Sequence, residues 1–80
     1  MHELSLTRNI VAIVAEHAKD RPVCRVRVAI GSRAGVERRA LAFCFDIAAA
    51  GTVLQGAQLE FLDAEGDRFV IQDYELREAA

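Results

Sequence analysis

The sequence predicts an α+β domain in two layers, a three-stranded mixed sheet with two helices packed on one face, in the order helix, strand, helix, strand, strand. Three observations point there. Apolar residues recur with helical spacing over two stretches and with a period of two over three others. A strand–helix–strand segment favours a right-handed crossover. The 80 residues make one small domain, spanning 1–80, which buries only roughly 60% of its unfolded surface and so has a thin core. Two helices over one face of three strands bury both patterns with the fewest layers.

The first helix is expected from Leu4 to about Lys19. Leu6, Ile10, Ile13, Val14 and His17 share one face, Val11, Ala15 and Ala18 widen it, and Thr7, Arg8, Asn9 and Glu16 lie largely outside it. Pro22 forbids continuation and pushes Arg21 toward an extended backbone. From Val23 to Ile30 the period becomes two. Cys24, Val26, Val28 and Ile30 point one way and Arg25, Arg27 and Ala29 the other, a half-buried strand. Gly31-Ser32-Arg33-Ala34-Gly35 supplies turn residues.

Helical spacing returns from Val36 to Ala50. Val36, Ala40, Leu41, Cys44, Ile47 and Ala48 share a face, and Gly51 stands where a helix commonly ends in a left-handed residue. Phe43 and Phe45 flank that face, which predicts a helix covered on more than one side. Ala57, Leu59 and Phe61 alternate with Gln58, Glu60 and Leu62 as a second strand. Asp63-Ala64-Glu65-Gly66-Asp67 reads as a turn, expected to close an antiparallel hairpin with a third strand from Phe69 to Leu76. The third strand's alternation slips near Gln72-Asp73, since Tyr74 and Leu76 have the opposite parity to Phe69 and Ile71. Either a bulge or an exposed Tyr74 accounts for that.

The net charge of −2 speaks against a nucleic-acid binder working through bulk electrostatics. Its distribution is uneven. Arg21, Arg25, Arg27, Arg33, Arg38 and Arg39 crowd the middle, with Glu37 the only acid among them. Glu60, Asp63, Glu65, Asp67, Asp73, Glu75 and Glu78 crowd the end. Oppositely charged neighbouring strands, or a charged docking face, both fit. No apolar run approaches the roughly 20 residues of a membrane span, and no signal-peptide pattern opens the chain. A cytoplasmic protein retaining its first residue is expected. Cys24 and Cys44 lack the paired spacing of a structural zinc site and read as reduced, buried side chains.

The chemistry concentrates in Met1-His2-Glu3. A second-position histidine offers an imidazole close to backbone amides and the terminal amine. These can wrap a metal in nearly planar nitrogen coordination, which suits Ni(II) and Cu(II). The amine, the imidazole and any amide ligand must each give up a proton, so affinity should fall in acid. Glu3 can add a ligand or orient His2. The same residues also fit an ordinary polar start before a helix, Glu3 being a first-turn acid favoured by the macrodipole. No nucleophile with a nearby base, phosphate loop or carboxylate pair marks an enzyme.

Met1-His2-Glu3-Leu4-Ser5-Leu6, followed by Ile10-Val11 and Ile13-Val14, resembles the opening of the HypA family of nickel metallochaperones. Gly35-Val36-Glu37 running into Ala40-Leu41, Phe43 and Phe45-Asp46 is similar to its second helix. Gly51-Thr52-Val53-Leu54, Gly56-Ala57 and Leu59-Glu60 resemble its second-strand region, and Gly66 through Phe69, Ile71 and Asp73-Tyr74-Glu75-Leu76 its last strand. The resemblance implies a nickel-binding maturation factor, not an enzyme, with His2 as principal ligand and Met1 and Glu3 completing the site. It implies delivery of Ni(II) to the large subunit of [NiFe]-hydrogenase beside a nickel-insertion GTPase, and possible service to urease. The family also carries a zinc domain with paired Cys-x2-Cys motifs between its second and third strands. Here that domain is absent between about residues 63 and 66, so zinc is not expected. The alternative is a metal-independent interaction or regulatory module on the same fold. Neither reading involves nucleic acid or a membrane.

Overall fold

Helical and alternating spacing resolve into five elements in the computed structural model, which describes residues 2–78. They are α1 (Glu3–His17), β1 (Val23–Gly31), α2 (Arg38–Ala49), β2 (Gln58–Ala64) and β3 (Phe69–Leu76). The mixed three-stranded sheet and its two helices are as expected. The ends differ by a residue or two, where capping rather than spacing decides. α1 stops before Pro22 because Lys19 and Asp20 turn left-handed, at φ 56° and 59°, with the Asp20 amide donating to the Ala15 carbonyl at 3.0 Å. α2 is followed by Gly51 at φ 78°, in the conformation for which glycine carries no Cβ penalty.

The strand order is β2-β1-β3. β1 pairs in parallel with β2 and antiparallel with β3. The expected hairpin between the second and third strands therefore does not form, because β1 lies between them. Charge supplies a reason. β2 and β3 are both acidic, and like charges facing across a ladder repel. With β1 central, Arg27 stands opposite Glu60 on one side and Asp73 on the other. Arg25 Nε lies 2.9 Å from Glu60 Oε2, and Arg25 Nη1 lies 3.6 Å from Glu75 Oε1. Arg27 donates two hydrogen bonds to Asp73, at 2.7 and 2.9 Å. That fork holds the Arg27 guanidinium charged to still higher pH than usual, through the hydrogen bond first and the carboxylate's charge second. Arg38 likewise reaches Asp63 at 2.8 Å. Of the two charge readings, strand pairing is realised.

The link from β2 to β3 crosses the end of β1, and Gly31 permits it. A Cβ on Gly31 would lie 2.1 Å from the Gly66 carbonyl oxygen, so no other residue fits without moving backbone. The Gly31 amide donates to Arg68 O at 2.7 Å and the Arg33 amide to Gly66 O at 2.8 Å, tying the crossing down.

The core lies between sheet and helices. Ile10, Val11 and Val14 of α1 meet Val23, Val26, Val28 and Ile30 of β1 and Leu41, Phe45 and Ala49 of α2. Two expectations fail here. Cys24 and Cys44 are free and half-buried rather than core residues. At Cys24 the register of β1 against β3 shifts, which turns Val23 inward instead. The second helix is covered on one side only: Phe43 is 69% and Ile47 52% exposed. In β3 the register shifts at Gln72, which has no partner on β1 while Ile71 pairs with Val28 and Asp73 with Arg27. This bulge restores Tyr74 and Leu76 to the core side, and so decides between the two explanations for the slipped alternation.

Candidate metal centre at the head of the helices

α1 begins immediately after His2, which is its N-cap at φ −92° and ψ 91°. The His2 carbonyl accepts from the Leu6 amide at 3.1 Å, the first intrahelical bond. Its imidazole makes no capping bond and is exposed. Amides at a helix start have no carbonyl one turn earlier to receive them, so the His2 and Glu3 amides are not committed to the helix. The start is held firmly below this point. Thr7 is fully buried, with its hydroxyl donating to Leu4 O at 2.9 Å, and Ile10 and Val11 enter the core.

Glu3 is half-buried, and its Oε2 accepts from the Glu37 amide at 3.4 Å, a long and weak contact. Glu37 is in turn the N-cap of α2, its carboxylate accepting from the Ala40 amide. Both helices thus start at the same corner, and two macrodipoles present their positive ends there. Negative donors, whether carboxylates or deprotonated amides, are favoured in such a place. The Met1 amine, the other expected donor, lies outside the described residues.

His2 and Glu3 are neighbours in sequence and stay so in space. What the fold adds is Glu37, which sequence reasoning did not single out as a site residue. Its one visible signal is that it is the sole acid within the basic middle of the chain. Among the described residues no three His, Cys, Asp or Glu side chains converge as a metal cluster.

The remaining histidine has a different role. His17 Nδ1 lies 2.8 Å from the Tyr74 hydroxyl, with the rings edge to face at 5.5 Å, and so pins the C-terminal end of α1 to β3. Beside them a groove of about 390 Å³ is lined by Ile13, Val14, His17 and residues 71–74. It does not include His2 or Glu3. Cys24 Sγ lies 3.7 Å from Glu75 Oε1 and is not part of a ligand set. Among the described residues no helix is long and apolar enough to cross a membrane.

Residues 1–69 match the family model described as hydrogenase/urease nickel incorporation, metallochaperone, hypA. The hydrogenase maturation factor HypA of Nostoc punctiforme is 53% identical over 66 residues, covering 82% of this chain and 58% of the relative. That of Rippkaea orientalis is 52% identical over the same coverage. The chain thus spans less than two thirds of the length of these curated relatives. In three dimensions, the solution structure of the Ni metallochaperone HypA from Helicobacter pylori aligns with a TM-score of 0.70 at 20% identity, over 100% of this chain and 95% of that one. A second HypA solution structure aligns with a TM-score of 0.70 at 14% identity, over 92% of each chain. At those identities the likeness concerns the fold, and it is the sequence match across residues 1–69 by which the chain belongs to the HypA family.

Proposed function

We propose that the domain carries nickel, holding Ni(II) at Met1-His2-Glu3 and passing it to the large subunit of [NiFe]-hydrogenase beside a nickel-insertion GTPase. Urease is a second possible recipient. The observation that carries the reading is His2 itself, an exposed imidazole with no capping duty, on an anchored helix whose first amides are uncommitted. Nickel is cargo here, so the site must let it go as well as hold it. Donors that all require deprotonation release metal when protons return. An open corner also lets an incoming ligand attack without unfolding the core.

No catalytic residue takes part in this reading; the domain binds and presents. It needs no zinc either. The chain has two cysteines, one on β1 and one on α2, and a structural zinc site typically takes four ligands. Residues 1–80 act as one domain, joined directly across 63–66, and the setting is the cytoplasm.

Calorimetry of the untagged chain with Ni(II) at neutral pH tests this. Tight binding is expected, weakened at least about tenfold, or 1.4 kcal/mol, in His2→Ala and in a copy acetylated at its first amine. Affinity should also drop as pH falls, because every donor must lose a proton to bind. A square-planar d–d absorption band should accompany saturation. Equal binding by the native, His2→Ala and acetylated chains would rule out the N-terminal site, and no binding by any of them would leave the metal-independent interaction module as the surviving reading.

A further inference from the structure

β3 is an edge strand, with β1 on one side and, among the described residues, no strand on the other. Such an edge leaves every second backbone N–H and C=O without a partner, and folded chains commonly blunt it with proline, lysine or a bulge. β3 contains neither proline nor lysine. The bulge at Gln72 leaves residues 69–71 and 73–76 in ladder positions on either side of it.

α1 stands beside this strand without closing onto it. Ile13 is 56% exposed and lines two hollows between α1 and β3. One, of about 390 Å³, reaches past Val14 and Ile71 to the His17–Tyr74 pair. The other, of about 400 Å³, reaches past Leu6 and Phe69. An open apolar groove thus follows β3 on its core face. The outer face of the strand is acidic. Asp73 and Glu75 alternate there with the core-side Tyr74 and Leu76. Although both meet arginines of β1, their side chains remain 44% and 60% exposed. The free edge of β2 has no such groove, since the hollow beside it is lined by Asp46 and Glu60.

We propose that β3 is the docking edge for an extended segment of a partner protein in which apolar residues alternate with lysine or arginine. Each requirement has its own source. Unpaired backbone groups call for a strand, whose main-chain hydrogen bonds supply affinity. Side chains of that strand alternate between the two faces of the sheet. Those on the core face enter the groove beside Ile13 and are apolar. Those on the outer face come beside Asp73 and Glu75 and are matched by basic groups. The alternation of charge across the sheet, acid on β2, base on β1 and acid on β3, then continues with base on the partner. Docking does not rest on the nickel reading, because neither His2 nor Glu3 lines the groove.

A capped peptide of about eight residues, alternating valine and lysine, titrated into the isotopically labelled chain and followed by NMR, tests it. Saturable binding with a Kd below about 1 mM is expected, with the largest shifts at the amides of residues 69–76 and the methyl groups of Ile13. A strand pairs through one edge, so of two peptides N-methylated at the odd or the even amides, one should bind at least about tenfold more weakly and the other within about threefold. Ile13→Ser should weaken binding at least about fivefold. Glu75→Lys should weaken the lysine peptide about threefold and favour a valine–glutamate peptide by as much. Both positions are exposed, and circular dichroism checks that the variants fold. No binding at about 1 mM, equal binding of a peptide with its valines and lysines in separate blocks, indifference to Ile13→Ser, or shifts centred on β2 overturns the proposal. So does protection of residues 69–76 that grows with chain concentration before any peptide is added, which would give the edge to a second copy of the chain.

Discussion

Phe43 and Phe45 stand two positions apart on α2 and meet opposite surroundings, the first 69% exposed and the second 1%. Two residues of helix turn the chain by roughly 200°, which carries a side chain from core to solvent. Phe45→Ala should therefore cost about 3–5 kcal/mol, a large share of the roughly 4–12 kcal/mol that an 80-residue domain has. Phe43→Ala should stay within about 0.5 kcal/mol. Urea unfolding of the two variants measures the contrast, and equal losses would mean that both rings are covered in solution. Periodicity alone could not separate them, because both flank the apolar face it defines. The cysteines mislead for a related reason. Cys24 has inward parity on paper, and one register shift against β3 hands its inward place to Val23.

At the scale of the element, β3 depends on one extra residue. Gln72 is bulged out of the ladder between Ile71 and Asp73, so that Phe69, Ile71, Tyr74 and Leu76 all pack toward the core. Deleting Gln72 would leave a regular strand in which Tyr74 and Leu76 swing to the outer face. It would also take Tyr74 away from His17 Nδ1. Two apolar side chains leaving the core side should cost about 2–4 kcal/mol, seen as a lower urea midpoint and lost protection of the β3 amides. A deletion with wild-type stability would contradict the packing role of the bulge. The parity slip that betrays the bulge is plain in the sequence. That the slip is a bulge follows from pairing with β1, which supplies the unbroken register on either side of it.

For the molecule as a whole, the proposed nickel donors sit at one end of the chain and depend little on its folding. Met1, His2 and Glu3 are contiguous, so an unfolded chain offers almost the same set. A ligand bound equally by folded and unfolded states leaves stability unchanged. Saturating Ni(II) is therefore expected to shift unfolding by less than about 1 kcal/mol, a few degrees in Tm. A much larger shift in thermal melts would mean that the fold contributes a distant ligand, Glu37 being a residue whose backbone amide meets the Glu3 carboxylate. The five elements and their order follow from the sequence by itself, as does the proposal of Met1-His2-Glu3 as donors, because they rest on spacing, caps and neighbouring residues, all of which are local. The central place of β1, the crossing over Gly31, the meeting of Glu3 with Glu37 and the bare face of α2 were decided only in the tertiary structure. Each joins residues far apart along the chain, and which distant groups meet is set by how charge and apolar surface are shared across the whole sheet.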